Sequence, residues 1–186
     1  MKRYRRLGEM LQDRGILTHD QLEQALKVYR KEYEPCERRI GEALTELGMA
    51  TEEDVTSCLA EQYELPVVDP LQVNPSPDAL HSIPRIVAMG RLILPISLDE
   101  SEYRCVVADP IDVELTDALN RTIGRKIRMS LATPSKLRRR IAECFDQVRP
   151  EAPAPSKKSS ANRRSQDAEW RWNLYGSLTR QKEAVR

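Results

Sequence analysis

The chain has 186 residues, of which 32% are charged and 5% aromatic, with a formal net charge of +1. That length admits one moderate core or two small ones and excludes large multidomain machinery, while the composition points to a helix-leaning protein rather than a membrane span or a β-rich lectin. No apolar run approaches the roughly 20 residues needed to cross a bilayer, and the basic start Met1-Lys2-Arg3-Tyr4-Arg5-Arg6 is not followed by the apolar stretch of a secretory signal, so the expected location is cytoplasmic.

Arg5-Arg6-Leu7-Gly8-Glu9 opens a helical stripe of Leu7, Met10 and Leu11 that stops at Gly15, where a C-terminal cap turns the backbone left-handed. Thr18 then caps a second helix, with Gln21 as its capping-box partner and Leu22, Ala25 and Leu26 as its apolar face. A second helix hairpin copies the first: Arg38-Arg39-Ile40-Gly41-Glu42, Ala43 and Leu44, the break at Gly48, the cap at Thr51, then Val55, Cys58 and Leu59. The offset is 33 throughout (Gly41 minus Gly8, Gly48 minus Gly15, Leu59 minus Leu26), and four of the chain's seven glycines fall in the repeat, which marks an internal duplication. Neither hairpin can bury its stripe alone, so residues 1–65 are predicted to form one four-helix subdomain. Two copies are too few for a solenoid.

Past Leu65-Pro66 the texture changes. Prolines at 66, 70, 75, 77 and 84 mark an irregular connection holding one short helix around Asp78 to His81. Leu92 to Leu98 and Tyr103 to Ala108 read as a β-hairpin across the polar turn Asp99-Glu100-Ser101-Glu102. A helix opens near Asp112 and runs over Leu115, Ala118 and Leu119 to Gly124; Ile127 to Leu131 form a third strand, and Pro134 to Phe145 a last helix. Residues 66–148 are therefore predicted to be a small α+β subdomain with a three-stranded sheet, and the fold class is α+β. From Pro150 the composition is that of a linker, and residues 149–186 are expected to be a disordered basic tail. Within it Trp170, Trp172, Leu174, Tyr175 and Leu178 form the kind of cluster a short partner-binding helix uses. The tail is four charges positive after Pro150, leaving the body about three negative.

Cys36, Cys58, Cys105 and Cys144 lack the close pairing of zinc sites and are expected to be reduced thiols; His19 and His81 sit in polar surroundings that suit surface residues. The only Gly-Arg-Lys, at 124–126, is followed by Ile127, so the usual phosphate loop is missing. No nucleophile–base set stands out, and neither enzymatic activity nor a metal or resident cofactor is expected. A slightly acidic body without an aromatic platform flanked by basic residues also argues against nucleic acid.

The duplicated Arg-hydrophobic-Gly unit remains. An arginine fork can donate two hydrogen bonds to the O6 and N7 edge of guanine, worth roughly 1–3 kcal/mol of discrimination, or pair a phosphate. Glycine lets a base or phosphate approach backbone near a helix start, and leucine-type side chains can cover a purine face. The bland alternative is that Gly8 and Gly41 allow tight helix packing while Arg6 and Arg39 pair with Glu9 and Glu42 on the surface.

Arg6-Leu7-Gly8, Leu11, Gly15, Leu17, Leu22 and Leu26, with the copy Arg39-Ile40-Gly41, Leu44, Gly48, Ala50, Val55, Leu59 and Gln62, resemble the tandem motif of MshEN domains, the N-terminal domain of type II secretion and type IV pilus ATPases. Val106-Val107-Ala108-Asp109-Pro110 is similar to that family's second subdomain, so the resemblance spans about residues 4 to 146. Departures are Tyr29 where the first motif places a closing Gln, and Ala50 and Val55 in place of leucines. The resemblance implies a sensor that clasps cyclic di-GMP between its repeats. It implies ligand-binding roles for Arg6, Leu7, Gly8, Leu11, Gly15, Leu26, Tyr29, Arg39, Ile40, Gly41, Leu44, Gly48, Leu59 and Gln62. The partner it implies is a secretion or pilus ATPase or an inner-membrane component. The other role open to such a module is a ligand-free adaptor docking onto the same machinery.

Overall fold

Helix α1 (Leu7–Asp13) ends where Gly15 takes a φ of +70°, and helix α3 (Ile40–Glu46) ends where Gly48 takes +66°. In the first stop the Gly15 N–H donates to the Gln12 carbonyl at 2.8 Å and the Ile16 N–H to the Leu11 carbonyl at 3.0 Å. The second repeats both bonds: Gly48 N–H to Thr45 carbonyl at 3.1 Å and Met49 N–H to Leu44 carbonyl at 2.9 Å. These are paired Schellman caps, which satisfy the last carbonyls of each short helix and need a residue tolerant of left-handed backbone. The computed structural model describes residues 5–32 and 40–147; Arg39, Cys36 and the segment assigned as a tail, 149–186, lie outside the described residues.

The return helices α2 (His19–Glu32) and α4 (Glu52–Tyr63) open on the expected capping boxes. Thr18 N–H donates to Gln21 Oε1 at 2.9 Å and Gln21 N–H returns to Thr18 Oγ1 at 3.2 Å; Thr51 and Asp54 exchange the same two bonds at 3.1 Å each. Stop, turn and start are thus duplicated atom for atom. The helices then cross over: α1 packs against α4 and α2 against α3, so each hairpin finds its neighbours in the other. All four supply one core of Leu7, Met10, Leu11, Leu17, Ala25, Leu44 and Cys58. Leu11 and Leu44, equivalent in the repeat, are both 0% exposed. Burying a leucine fully is worth roughly 1.5–3 kcal/mol, so the two halves stabilise each other through matched residues.

Pro66 to Val68 runs beside the sheet that follows: Val68 N–H donates to the Leu131 carbonyl at 2.9 Å and Leu131 N–H to the Pro66 carbonyl at 2.8 Å. A 3-10 turn at Pro70–Gln72 and helices α5 (Pro77–His81) and α6 (Arg85–Arg91) lead into β1 (Ile93–Leu98) and β2 (Glu102–Val107), then α7 (Val113–Ile123), β3 (Lys126–Leu131) and α8 (Pro134–Gln147). The sheet order is β1-β2-β3. β1 and β2 are antiparallel, with a register shift between Pro95 and Ser97, while β2 and β3 are parallel from Glu102↔Lys126 to Val107↔Leu131. Helix α7 is the crossover that a parallel pair requires. Asp112 caps it, accepting the Leu115 N–H at 2.9 Å, and Gly124 ends it at φ +64°.

The α+β reading, the three strands and the last two helices stand as expected. Helix α6 was not foreseen. Pro84 was taken as a turn marker, yet it sits in extended conformation (φ −64°, ψ 143°) as the residue before the first turn, where a missing N–H costs nothing. The second core includes Val87, Ile93, Tyr103, Leu119, Leu131, Leu137 and Ile141. The Tyr103 hydroxyl stands 3.0 Å from Ser82 Oγ in surroundings whose dryness pushes its pKa upward. Cys58, Cys105 and Cys144 are free and buried. Burial raises all three thiols, Cys105 to about 12, which leaves them protonated and inert as nucleophiles. Among the described residues no helix is long and apolar enough to cross a membrane.

The Thr51 hydroxyl, and then the Thr51 N–H, hold the Asp54 carboxyl below the usual carboxylate range. A carboxyl lowered by folding contributes stability above its unfolded pKa and loses it as pH falls through the folded one. The urea midpoint is therefore expected to hold down to about pH 4 and to drop below it. Thr51→Ala is expected to cost about 1 kcal/mol at neutral pH and to flatten that acid limb; equal midpoints for wild type at neutral and acid pH would contradict the assignment.

Candidate functional site

The starts of α1 and α3 meet in the crossed bundle, and glycine lets each press close on the return helix of its own hairpin. A methyl built on Gly41 would lie 2.8 Å from Val55 Cγ1 and 3.5 Å from Leu7 Cδ2; one built on Gly8 would lie 2.9 Å from both Leu22 methyls. Val55 is the repeat equivalent of Leu22, offset 33 again. Both glycines accordingly have their Cα against the return helix of the same hairpin, the tight-packing role. The Leu7 contact also brings the twin motifs together.

The candidate residues divide by exposure. Leu11 and Leu44 are wholly buried, and Leu7 and Gly41 are buried with them, so these side chains build the bundle core. Gly8, Leu26, Tyr29, Ile40, Leu59 and Gln62 are half-buried, and Arg6, Gly15 and Gly48 are exposed. Arg6 opens α1, its N–H donating to Glu9 Oε2 at 3.0 Å. Gln62, near the end of α4, donates from Nε2 to the Arg5 carbonyl at 2.7 Å, which places it beside the Arg6-Leu7-Gly8 motif. Arg6, Leu7, Gly41 and Gln62 are thereby connected through direct contacts or adjacent residues. Gly15 and Gly48 stand at the opposite ends of their helices and serve as stops.

A polar seam along α1 and α4 escaped the sequence reading. Arg14 donates to Glu61 at 2.6 Å and to Ser57 Oγ at 2.9 Å, and Arg5 joins Glu61 at 4.0 Å and Asp13. The Glu61 hydrogen bond raises the Arg14 pKa further. Thirty-three residues on, the Arg14 position holds Leu47, which is 41% exposed. Only this break in the duplication signalled the seam. Among the described residues no group of His, Cys, Asp or Glu is placed to hold a metal ion.

Two crossed helix hairpins followed by a three-stranded mixed sheet define a class of module represented among solved structures. One is a structure of MshE with cdg, with TM-score 0.65 and 29% sequence identity over 78% of this chain and 99% of that one. The N-terminal domain of XpsE shares the fold, with TM-score 0.62 and 22% identity over 74% of this chain and 92% of that one. More narrowly, residues 63–151 match the family model of the MshEN domain. That match begins at the last residue of α4, so the tandem repeat lies outside the matched stretch. Among curated relatives, the type IV pilus assembly ATPase PilB of Myxococcus xanthus is 26% identical over 145 residues, 78% of this chain and 25% of the relative. Bacteriophage adsorption protein B of Escherichia coli is 31% identical over 126 residues, 67% of this chain and 16% of the relative. The chain thus spans a quarter or less of the length of these relatives.

Replacing Gly41 sets a helix-propensity gain of about 1 kcal/mol against overpacking of about 1–3 kcal/mol. Val55 is β-branched and stiff, whereas Leu22 opposite Gly8 yields at its flexible end. Gly41→Ala is expected to be destabilising by about 1 kcal/mol and Gly8→Ala near neutral. In urea unfolding, Gly41→Ala combined with Val55→Ala should cost at least about 1 kcal/mol less than the two single changes together; strict additivity would refute the contact.

Proposed function

We propose that the tandem repeat binds cyclic di-GMP and that the chain is a non-enzymatic regulatory module acting in the cytoplasm on a secretion or pilus ATPase or an inner-membrane component. The observation that carries this reading is the likeness to MshE, a protein solved with cdg, across nearly its whole determined structure at 29% identity. The doubled motif supports it from the chemical side. A ligand made of two identical halves suits two equivalent helix hairpins. Arg6 and Arg39 would grip guanine edges or phosphates, while Ile40, Leu59, Leu26 and Tyr29 would supply apolar cover from half-buried positions. Leu7, Leu11 and Leu44 would shape that surface from the core beneath. Gly8 and Gly41 would keep side chains away from the backbone of both motifs, and Gln62 would turn from the Arg5 carbonyl to the ligand.

The adaptor reading has its own support. Gln62, Gly41, Leu11 and Leu44 all have work in holding the bundle together, which suffices to retain them without a nucleotide. Calorimetric titration separates the two. Cyclic di-GMP is expected to bind at micromolar concentrations or below and to raise the melting temperature. Arg6→Ala should weaken binding about tenfold, equivalent to ~1.4 kcal/mol, and leave the fold intact because Arg6 is exposed. No heat and no thermal shift up to about 100 μM ligand would reject the sensor and leave the adaptor, since even a micromolar site stabilises measurably.

A further inference from the structure

Helix α4 is tied at both ends, and each tie leads to a different subdomain. At its C-terminal end Gln62 Nε2 holds the Arg5 carbonyl at 2.7 Å, beside the first motif. At its N-terminal end Glu52 reaches the first turn of α8, accepting the Ser135 N–H at 2.9 Å and the Ser135 hydroxyl at 2.6 Å; Glu53 adds Lys136 at 3.2 Å. Ser135 lies in the opening turn of a 14-residue helix whose first N–H groups have no partner within the helix. Glu52 is therefore a cap supplied from another subdomain. It lies in the first turn of its own helix as well, so one carboxylate faces the positive ends of two helix dipoles. Between the ties α4 is an uninterrupted helix of 12 residues. A continuous hydrogen-bonded helix moves as a rod, which makes a shift at one end a shift at the other.

We propose that α4 couples the nucleotide site to α8: a ligand that draws Gln62 away from the Arg5 carbonyl displaces the rod and loosens the Glu52 cap on Ser135. This coupling rests on the reading of the repeat as a cyclic di-GMP site, but the mechanical link between the two ties exists without ligand. Linkage makes it reciprocal. Weakening the cap lowers the cost of moving α4, so the ligand binds more tightly; occupying the site speeds exchange of amide protons at the start of α8. The Glu52–Ser135 joint is exposed and neither residue is among those assigned to the ligand, so its variants test the coupling without replacing a site residue.

Two measurements on the full chain decide it. In the first, without ligand, Gln62→Ala is expected to speed hydrogen exchange of the Ser135 amide about threefold or more, with amides inside β2 unchanged as the control; an unaltered Ser135 rate overturns the coupling. In the second, Glu52→Gln and, separately, Ser135→Ala are titrated with cyclic di-GMP. Each is expected to tighten the Kd about three- to tenfold relative to wild type, and values within twofold of wild type, or weaker, overturn the proposal. If wild type binds no cyclic di-GMP, the nucleotide assignment fails, while the exchange measurement still decides whether the two ends of α4 are linked.

Discussion

The fold depends on how closely two short helices approach their partners. Helices α1 and α3 have only seven residues each, too few to persist in water by themselves. What holds them is contact on two faces: the return helix against the glycine face, the opposite hairpin against the leucine face. A side chain at position 41 would press on Val55 and lift α3 off its return helix, while Leu7 stands at ordinary contact distance. Close approach is therefore the condition for the shared core of Leu11 and Leu44, and for the polar ties of α4 that depend on where that core places the helix.

This constraint alters what the repeated glycine means. A glycine in a nucleotide-binding motif is ordinarily read as room for the ligand, and here the removed volume is occupied by the protein's own leucine and valine. At the half-buried Gly8 the two roles are compatible, because one face packs while another remains open; Gly41 is buried and has the packing role. On the proposed reading the motif carries two demands at once, a fold demand on Gly8, Leu11, Gly41 and Leu44 and a surface demand on Arg6, Ile40 and Leu59. A chain that abandoned the nucleotide would keep the first set and drift in the second.

Most of the architecture was legible in the sequence because its signals are local. Gly15, Gly48 and Gly124 announce helix ends through backbone handedness, Thr18 and Thr51 announce starts through their side-chain oxygens, and all five act as the pattern predicts. Pairing was harder to read. Nothing in the periodicity says that α1 packs on α4 as well as on α2, nor that Glu52 reaches a serine 83 residues away. Helix α6 was lost because proline marks both a turn and a helix entrance. In the candidate site, the duplication singled out equivalent positions but not which way they point. Leu11 and Leu44 look on paper like a wall for a base, and they turn inward because an amphipathic helix has one apolar face and the core claims it first.

The margins of the sheet have a further implication. On the outer side of β1, Pro95 offers no N–H, the register slips at Ile96, and the Ile96 carbonyl is already taken by the Ser76 N–H at 2.8 Å. Beyond β3 the segment Pro66 to Val68 occupies the edge at the strand's last residue, Leu131. Strand addition from a neighbouring molecule is thereby obstructed along β1 and at the end of β3, which guards against runaway stacking. A protein that meets this module is thereby kept from lengthening the ribbon along β1, and a unit guarded in this way can be spliced beside unrelated machinery with less risk of sticking to it.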